Sequence, residues 1–161
     1  MIRNFILILA SISFIVVIGG AVYEHLALVP VWSAAVPASL SVFQGPYALT
    51  PEKFWMLIHP VTIVLLVAAL IANWASDRRT LIIVTLVGYL FVLGITFFYF
   101  VPELVALTQT PFAETVDAAL TDRANRWETL SLVRLGFLVL LAITLLSALA
   151  KPFDSRSYRR F

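Results

Sequence analysis

The chain has 161 residues, of which 61% are hydrophobic and 12% charged, and its formal net charge is +2. A water-soluble domain carries about 25% charged residues, so this composition, with a mean hydropathy of +0.99, reads as an integral membrane protein. The small charge and the lack of a basic patch with exposed aromatics argue against a nucleic-acid partner. The chain has no cysteine, which excludes disulfides, thiolate metal sites, thiol redox chemistry and covalent haem attachment.

Four segments have the roughly 20 apolar residues that a crossing needs. They run from about 5 to 23, 54 to 74, 81 to 101 and 130 to 150, within a single domain covering 1–161. A polar helical prefix lengthens the fourth to about Asp122. Arg3, an apolar run and then Gly19, Gly20 and Ala21 follow the order of a secretory signal. The segment is nevertheless read as a retained span, since the chain carries it from Met1.

Basic residues set the orientation. Arg3, Arg78, Arg79, Lys151, Arg156, Arg159 and Arg160 fall on one side, seven of the eleven Lys and Arg. Both termini are therefore expected in the cytoplasm, in a multi-pass protein of a cell membrane. The segment from 24 to 52 carries Pro30, Pro37, Pro46 and Pro51 among small and aromatic residues. It is too apolar for a free linker and too rich in proline for one helix. It is expected to fold over the bundle mouth as an extracytoplasmic cap, with a short helix near Ala34 to Leu40. The fold class is all-α, a four-helix transmembrane bundle.

Polar residues within the spans converge on one depth. At 1.5 Å per residue, His59 lies roughly 22 Å above the inner end of its span and Arg134 roughly 24 Å above Ala150. Thr96 and Tyr99 come out at similar heights, and Glu24, His25, Glu103 and Glu128 fall at the outer boundary. Helical spacing groups Trp127, Ser131 and Arg134 on one stripe, Thr96, Tyr99 and Glu103 on another, and Trp55, His59 and Thr62 on a third. Ionisable groups inside a bilayer mark function or a specific partner. Arg134 at that depth calls for a counter-ion, with Glu24 or Glu103 as the candidates.

Each residue carries a plainer alternative. Arg134 could fix helix register through an ion pair, or clamp an anionic or carbonyl oxygen. His59, followed by Pro60, could donate to a carbonyl freed by the proline, or act as a base. His25 beside Glu24 could be ordinary interface polarity, and the four tryptophans could belong to an aromatic belt. Two histidines and three glutamates could in principle bind a metal. The Glu-x-x-His spacing of di-iron bundles is absent, however, and the histidines lie at different depths, so no metal and no other cofactor is predicted. Haem ligation is disfavoured as well, since His25 and His59 are the only two histidines and nothing in their placement makes them face each other.

The pattern "RWETLSLVR", containing Trp127 and ending at Arg134, begins the last of four spans. With Pro102-Glu103 closing span three and Pro30 after span one, it resembles the anthrone oxygenase-like family of small four-span membrane proteins. In that family the last helix carries a Trp, then an Asn or similar polar residue, then an Arg; this chain has Ser131 at the middle position. Fungal members are linked to cofactor-free oxidation of anthrones, and most bacterial members have no assigned reaction. The resemblance implies a pocket containing Trp127, Ser131 and Arg134. The stretches "YEHLALVPVWSAAVPASL" and "FWMLIHP" are similar to bacterial membrane proteins, which implies an inner-membrane location.

The residues together lead to a small membrane oxidoreductase, independent of cofactors, acting on an apolar aromatic or quinone-like molecule that arrives from the bilayer. His59 or Glu24 would serve as base, and Arg134 with Tyr99 would stabilise an enolate or phenolate oxygen. His25, Trp55, Glu103, Trp127 and Ser131 would contact the substrate. The competing expectation is a non-catalytic accessory or scaffold subunit, in a homo-oligomer or a larger membrane complex, whose polar cluster only locks the helices.

Overall fold

The computed structural model describes residues 1–151. Arg156, Arg159 and Arg160, three of the basic residues used above for orientation, lie outside the described residues. The described chain contains helices and no β-strand. The α-helices are α1 (Ile2–Tyr23), α2 (Val29–Ser33), α3 (Glu52–Ala72), α4 (Arg79–Ile95), α5 (Val101–Thr108) and α6 (Ala118–Ala150). Four continuous helical stretches are long and apolar enough to cross a membrane: Ile2–Ser33, Glu52–Ala72, Arg79–Thr108 and Ala118–Ala150. A bilayer offers the backbone no hydrogen bonds, so each stretch satisfies its own groups by staying helical.

Three of these stretches pass through a proline without ending, at Pro30, Pro60 and Pro102, and the first and last of them do so by way of a widened turn. Proline lacks an N–H, and its ring collides with the carbonyl four residues back. Here the preceding turn widens to π-helical spacing, at Glu24–Leu28 before Val29-Pro30 and at Thr96–Phe100 before Val101-Pro102. The amide of Val29 bonds the carbonyl of Glu24, and that of Val101 bonds the carbonyl of Thr96. The wider turn accommodates each ring, and the helix resumes as α2 or α5. This corrects two expectations. Pro102-Glu103 does not close the third span, which stays helical to Thr108. The short helix expected near Ala34 to Leu40 is instead α2, at Val29–Ser33, followed by a 3₁₀ turn at Ala38–Phe43.

The fourth helix begins earlier than Asp122. Asp117 has extended backbone angles, and its carboxylate accepts from the amides of Ala119 at 2.8 Å and Leu120 at 3.1 Å. It is an N-cap, and Asp before Ala-Ala-Leu is a recognisable helix start.

The helices form an up-down-up-down bundle in which α1 lies against α3 and α6, and α4 against the same two. We call the end bearing the 34–51 and 109–117 connections the upper end. Phe14, Leu66, Tyr89 and Leu145 belong to the buried core along the bundle axis. A second buried cluster at the upper end joins Val29, Trp32, Val36 and Leu40 to Phe100, Leu107 and Trp127. The 24–43 segment is thereby packed onto α5 and α6.

The lower end is closed by Arg78, which is 3% exposed. Its Nε donates to the Lys151 carbonyl at 2.8 Å, its Nη2 donates to the same oxygen, and its Nη1 donates to Asn4 Oδ1 at 2.6 Å. The guanidinium thus caps the C-terminus of α6, where the helix dipole favours a cation, and ties it to the start of α1.

Candidate functional site

The polar side chains of the upper half come from all four long helices. Trp55 and His59 stand one turn apart on α3, so their rings share a face. They stack at 5.2 Å between centroids with an interplanar angle of 21°. The indole Nε1 of Trp55 donates to Glu24 Oε1 at 2.7 Å, linking α3 to the turn above α1. The Nδ1 of His59 lies 2.7 Å from the hydroxyl of Tyr89 on α4. Tyr89 is wholly buried, with its ring 5.0 Å from that of Phe14. Below this chain, Ser13 and Thr62 share a hydrogen bond of 2.7 Å, and Thr62 donates to the Ile58 carbonyl at 2.8 Å.

Arg134 faces this chain from α6. Its Nη1 donates to Thr96 Oγ1 at 3.0 Å and its Nη2 to Ser131 Oγ at 2.7 Å. Its guanidinium carbon lies 4.2 Å from the centre of the Phe100 ring, a cation–π contact. Glu24 and His59 are both within electrostatic range of Arg134. Neither Glu24 nor Glu103 touches it as an ion pair, although Glu24, one of the two expected counter-ions, is the carboxylate within its electrostatic range. Glu103 instead takes Arg123 in a fork, at 2.9 Å to Nε and 3.0 Å to Nη2. Arg134 therefore satisfies itself with two hydroxyls and a ring, and Glu103 belongs to the surface of the α5–α6 corner.

Tyr99 is the second correction. It was expected beside Arg134, but it is 40% exposed and borders a surface groove with Phe91, Gly94, Ile95 and Phe98. The cause is the π turn at Thr96–Phe100, in which each residue advances less around the axis than in an α-helix. Three residues after Thr96 no longer return to its face. Phe100, 4% exposed, takes that place under Arg134.

The phenol joined to His59 is Tyr89, which the sequence reading passed over. No spacing rule links residue 59 to residue 89, because the bond spans two helices. The bond also replaces the carbonyl partner that Pro60 was expected to free for His59.

Of the other expected site residues, Ser131 is wholly buried and accepts from Arg134. Trp127 donates its Nε1 to the Phe100 carbonyl at 2.9 Å and packs edge-on against Trp32 at 5.6 Å, which makes it a pillar of the upper cluster. His25 donates Nδ1–H to the Ala21 carbonyl of its own helix at 2.8 Å, and its Nε2 is buried without a partner. Among the described residues no three His, Asp or Glu side chains gather as metal ligands.

The site thus offers fixed donors from Arg134, an acceptor carboxylate at Glu24 and an imidazole oriented by a buried phenol. No family model matches the chain, and no curated protein or solved structure matches it.

Proposed function

We propose that the chain is a multi-pass protein of a bacterial inner membrane, with both termini cytoplasmic and the 24–52 segment as its outer cap. The basic residues at the lower end support this orientation, and the packing of Val29, Trp32 and Leu40 onto Trp127 supports the cap. Its pocket takes an apolar aromatic or quinone-like molecule from the bilayer and oxidises it without a resident cofactor.

The observation that carries this reading is Arg134. A guanidinium held in an apolar bundle by two hydroxyls and a ring, with Glu24 in electrostatic range but not in contact, has no carboxylate hydrogen-bonded to it and can meet a ligand oxygen. His59 or Glu24 then takes the substrate proton, and Arg134 stabilises the phenolate or enolate that forms. Dioxygen is the oxidant of such carbanion-like species. A quinol gives it two electrons and two protons to leave quinone and hydrogen peroxide. An anthrone methylene takes one of its oxygen atoms while the other leaves as water, in keeping with the resemblance of "RWETLSLVR" to the anthrone oxygenase-like family. Tyr99 has no part in this reading, and Tyr89 enters it only through His59.

The test is a panel of anthrones, phenols and quinols added to the purified protein, scored by thermal protection and by oxygen uptake. Wild-type protection that disappears in Arg134→Met supports the reading. Absence of protection by every compound sinks it.

A second reading has its own observation. The polar groups pair helix to helix, Trp55 with Glu24, His59 with Tyr89 and Arg134 with Thr96, which is also what a register lock requires. In that case the chain is an accessory or scaffold subunit, in a homo-oligomer or larger complex. Co-purification of a stoichiometric partner that survives Arg134→Met would favour it.

A further inference from the structure

A groove of about 550 Å³ opens between α1 and the start of α3, bordered by Gly19, Gly20, Tyr23, Pro51, Phe54 and Glu24. That volume is in the range of small-ligand sites. Its walls are hydrocarbon and aromatic ring, apart from the Glu24 carboxylate and the Tyr23 hydroxyl. The neighbouring side chains face outward, with Tyr23 63% and Phe54 39% exposed, so the groove opens toward lipid.

Its two glycines do different work. A Cβ on Gly20 would come within 2.5 Å of the Phe54 ring, so Gly20 is needed for the α1–α3 contact. A Cβ on Gly19 would meet nothing within 4 Å, so Gly19 leaves space that no protein atom uses. Glu24 belongs both to this groove and to the polar chain, through the bond that Trp55 makes to its Oε1.

We propose that this groove binds a hydroxylated aromatic molecule, a phenol or quinol, whose O–H donates to the Glu24 carboxylate while its ring lies against Tyr23 and Phe54. The inference rests on the reading of the Arg134 cluster given above and supplies its substrate class. In its ionised form a carboxylate only accepts, so the ligand that bonds it brings the proton donor. An ammonium ion would have to shed its water before entering hydrocarbon, whereas a neutral phenol partitions into the bilayer readily. A quinone has only acceptor oxygens, and Glu24 offers it nothing. The hydrogen bond to Glu24 is therefore open to the reduced compound and closed to the oxidised one.

The experiment is calorimetric titration of the purified, lipid-reconstituted protein with 1-naphthol and with 1-methoxynaphthalene, which lacks the donor. Wild type binds naphthol about tenfold more tightly than the ether, the value of one hydrogen bond to a charged acceptor. Gly19→Leu fills the unused space and lowers naphthol affinity by about tenfold or more, with the melting temperature unchanged. Equal affinity for naphthol and ether overturns the proposal, and that comparison needs no variant. Naphthol binding that survives Gly19→Leu but is lost in Arg134→Met also overturns it, while leaving the Arg134 reading intact. Binding lost in Gly19→Leu and kept in Arg134→Met upholds the groove and removes the Arg134 reading. No binding to wild type removes both.

Discussion

Nδ1 of His59 and the hydroxyl of Tyr89 meet at 2.7 Å across the α3–α4 contact, joining a half-buried imidazole to a wholly buried phenol. Tyr89→Phe keeps the ring packed on Phe14 and removes only the hydroxyl. The imidazole then loses its partner within the bundle. The expected loss is about 1–2 kcal/mol, the upper range for one hydrogen bond inside a membrane bundle. Reversible unfolding in mixed micelles measures it. Stability equal to wild type would mean that the bond contributes nothing net and that His59 finds another partner.

Arg134→Met is expected to fold, with a loss of about 1 kcal/mol or less. Removing one half of a buried ion pair is severe because the other charge is left stranded. Arg134 is paired with hydroxyls, and Thr96 already donates to the Val92 carbonyl of its own helix at 2.8 Å. The same unfolding assay decides this. A loss of several kcal/mol would show that Arg134 compensates a carboxylate after all, with Glu24 the first suspect.

Arg78 should behave in the opposite way. It holds the end of α6 and the start of α1 through three donors, so Arg78→Gln is expected to cost roughly 2–3 kcal/mol. Arg78→Lys recovers only part of this, because an ammonium lacks the planar fork that reaches Lys151 and Asn4 together. Full recovery by lysine would mean that charge near the helix end matters and the fork does not.

The absence of native cysteine makes the orientation directly testable. Thr115→Cys, in the α5–α6 connection, is expected to react with a membrane-impermeant maleimide added to intact cells. Lys151→Cys, just after α6, is expected to react only once the cells are opened. The reverse pattern would invert the assignment of both termini.

Much of the architecture was legible in the residues. Runs such as "FILILASISFIVVIGGAVY" leave the backbone no partner in lipid except itself, so four helices follow from hydropathy and length. Side-chain stripes also survive where the helix is regular: Trp55 and His59 share a face, and Ser131 and Arg134 bond each other. Asp117 was a readable helix start that a reading centred on Asp122 missed.

The tertiary structure decided what local periodicity cannot carry. The π turns before Pro30 and Pro102 change the angle per residue, and that change moved Tyr99 out of the cluster and Phe100 beneath Arg134. Pairings across helices settled the rest: Tyr89 with His59, Arg123 with Glu103, and hydroxyls instead of a carboxylate around Arg134. Composition and spacing fix which residues lie on a helix and at what depth, because these depend on short-range geometry and on the solvent. Which helix stands opposite, and in what rotation, depends on packing between segments distant in sequence, and only the assembled bundle sets it.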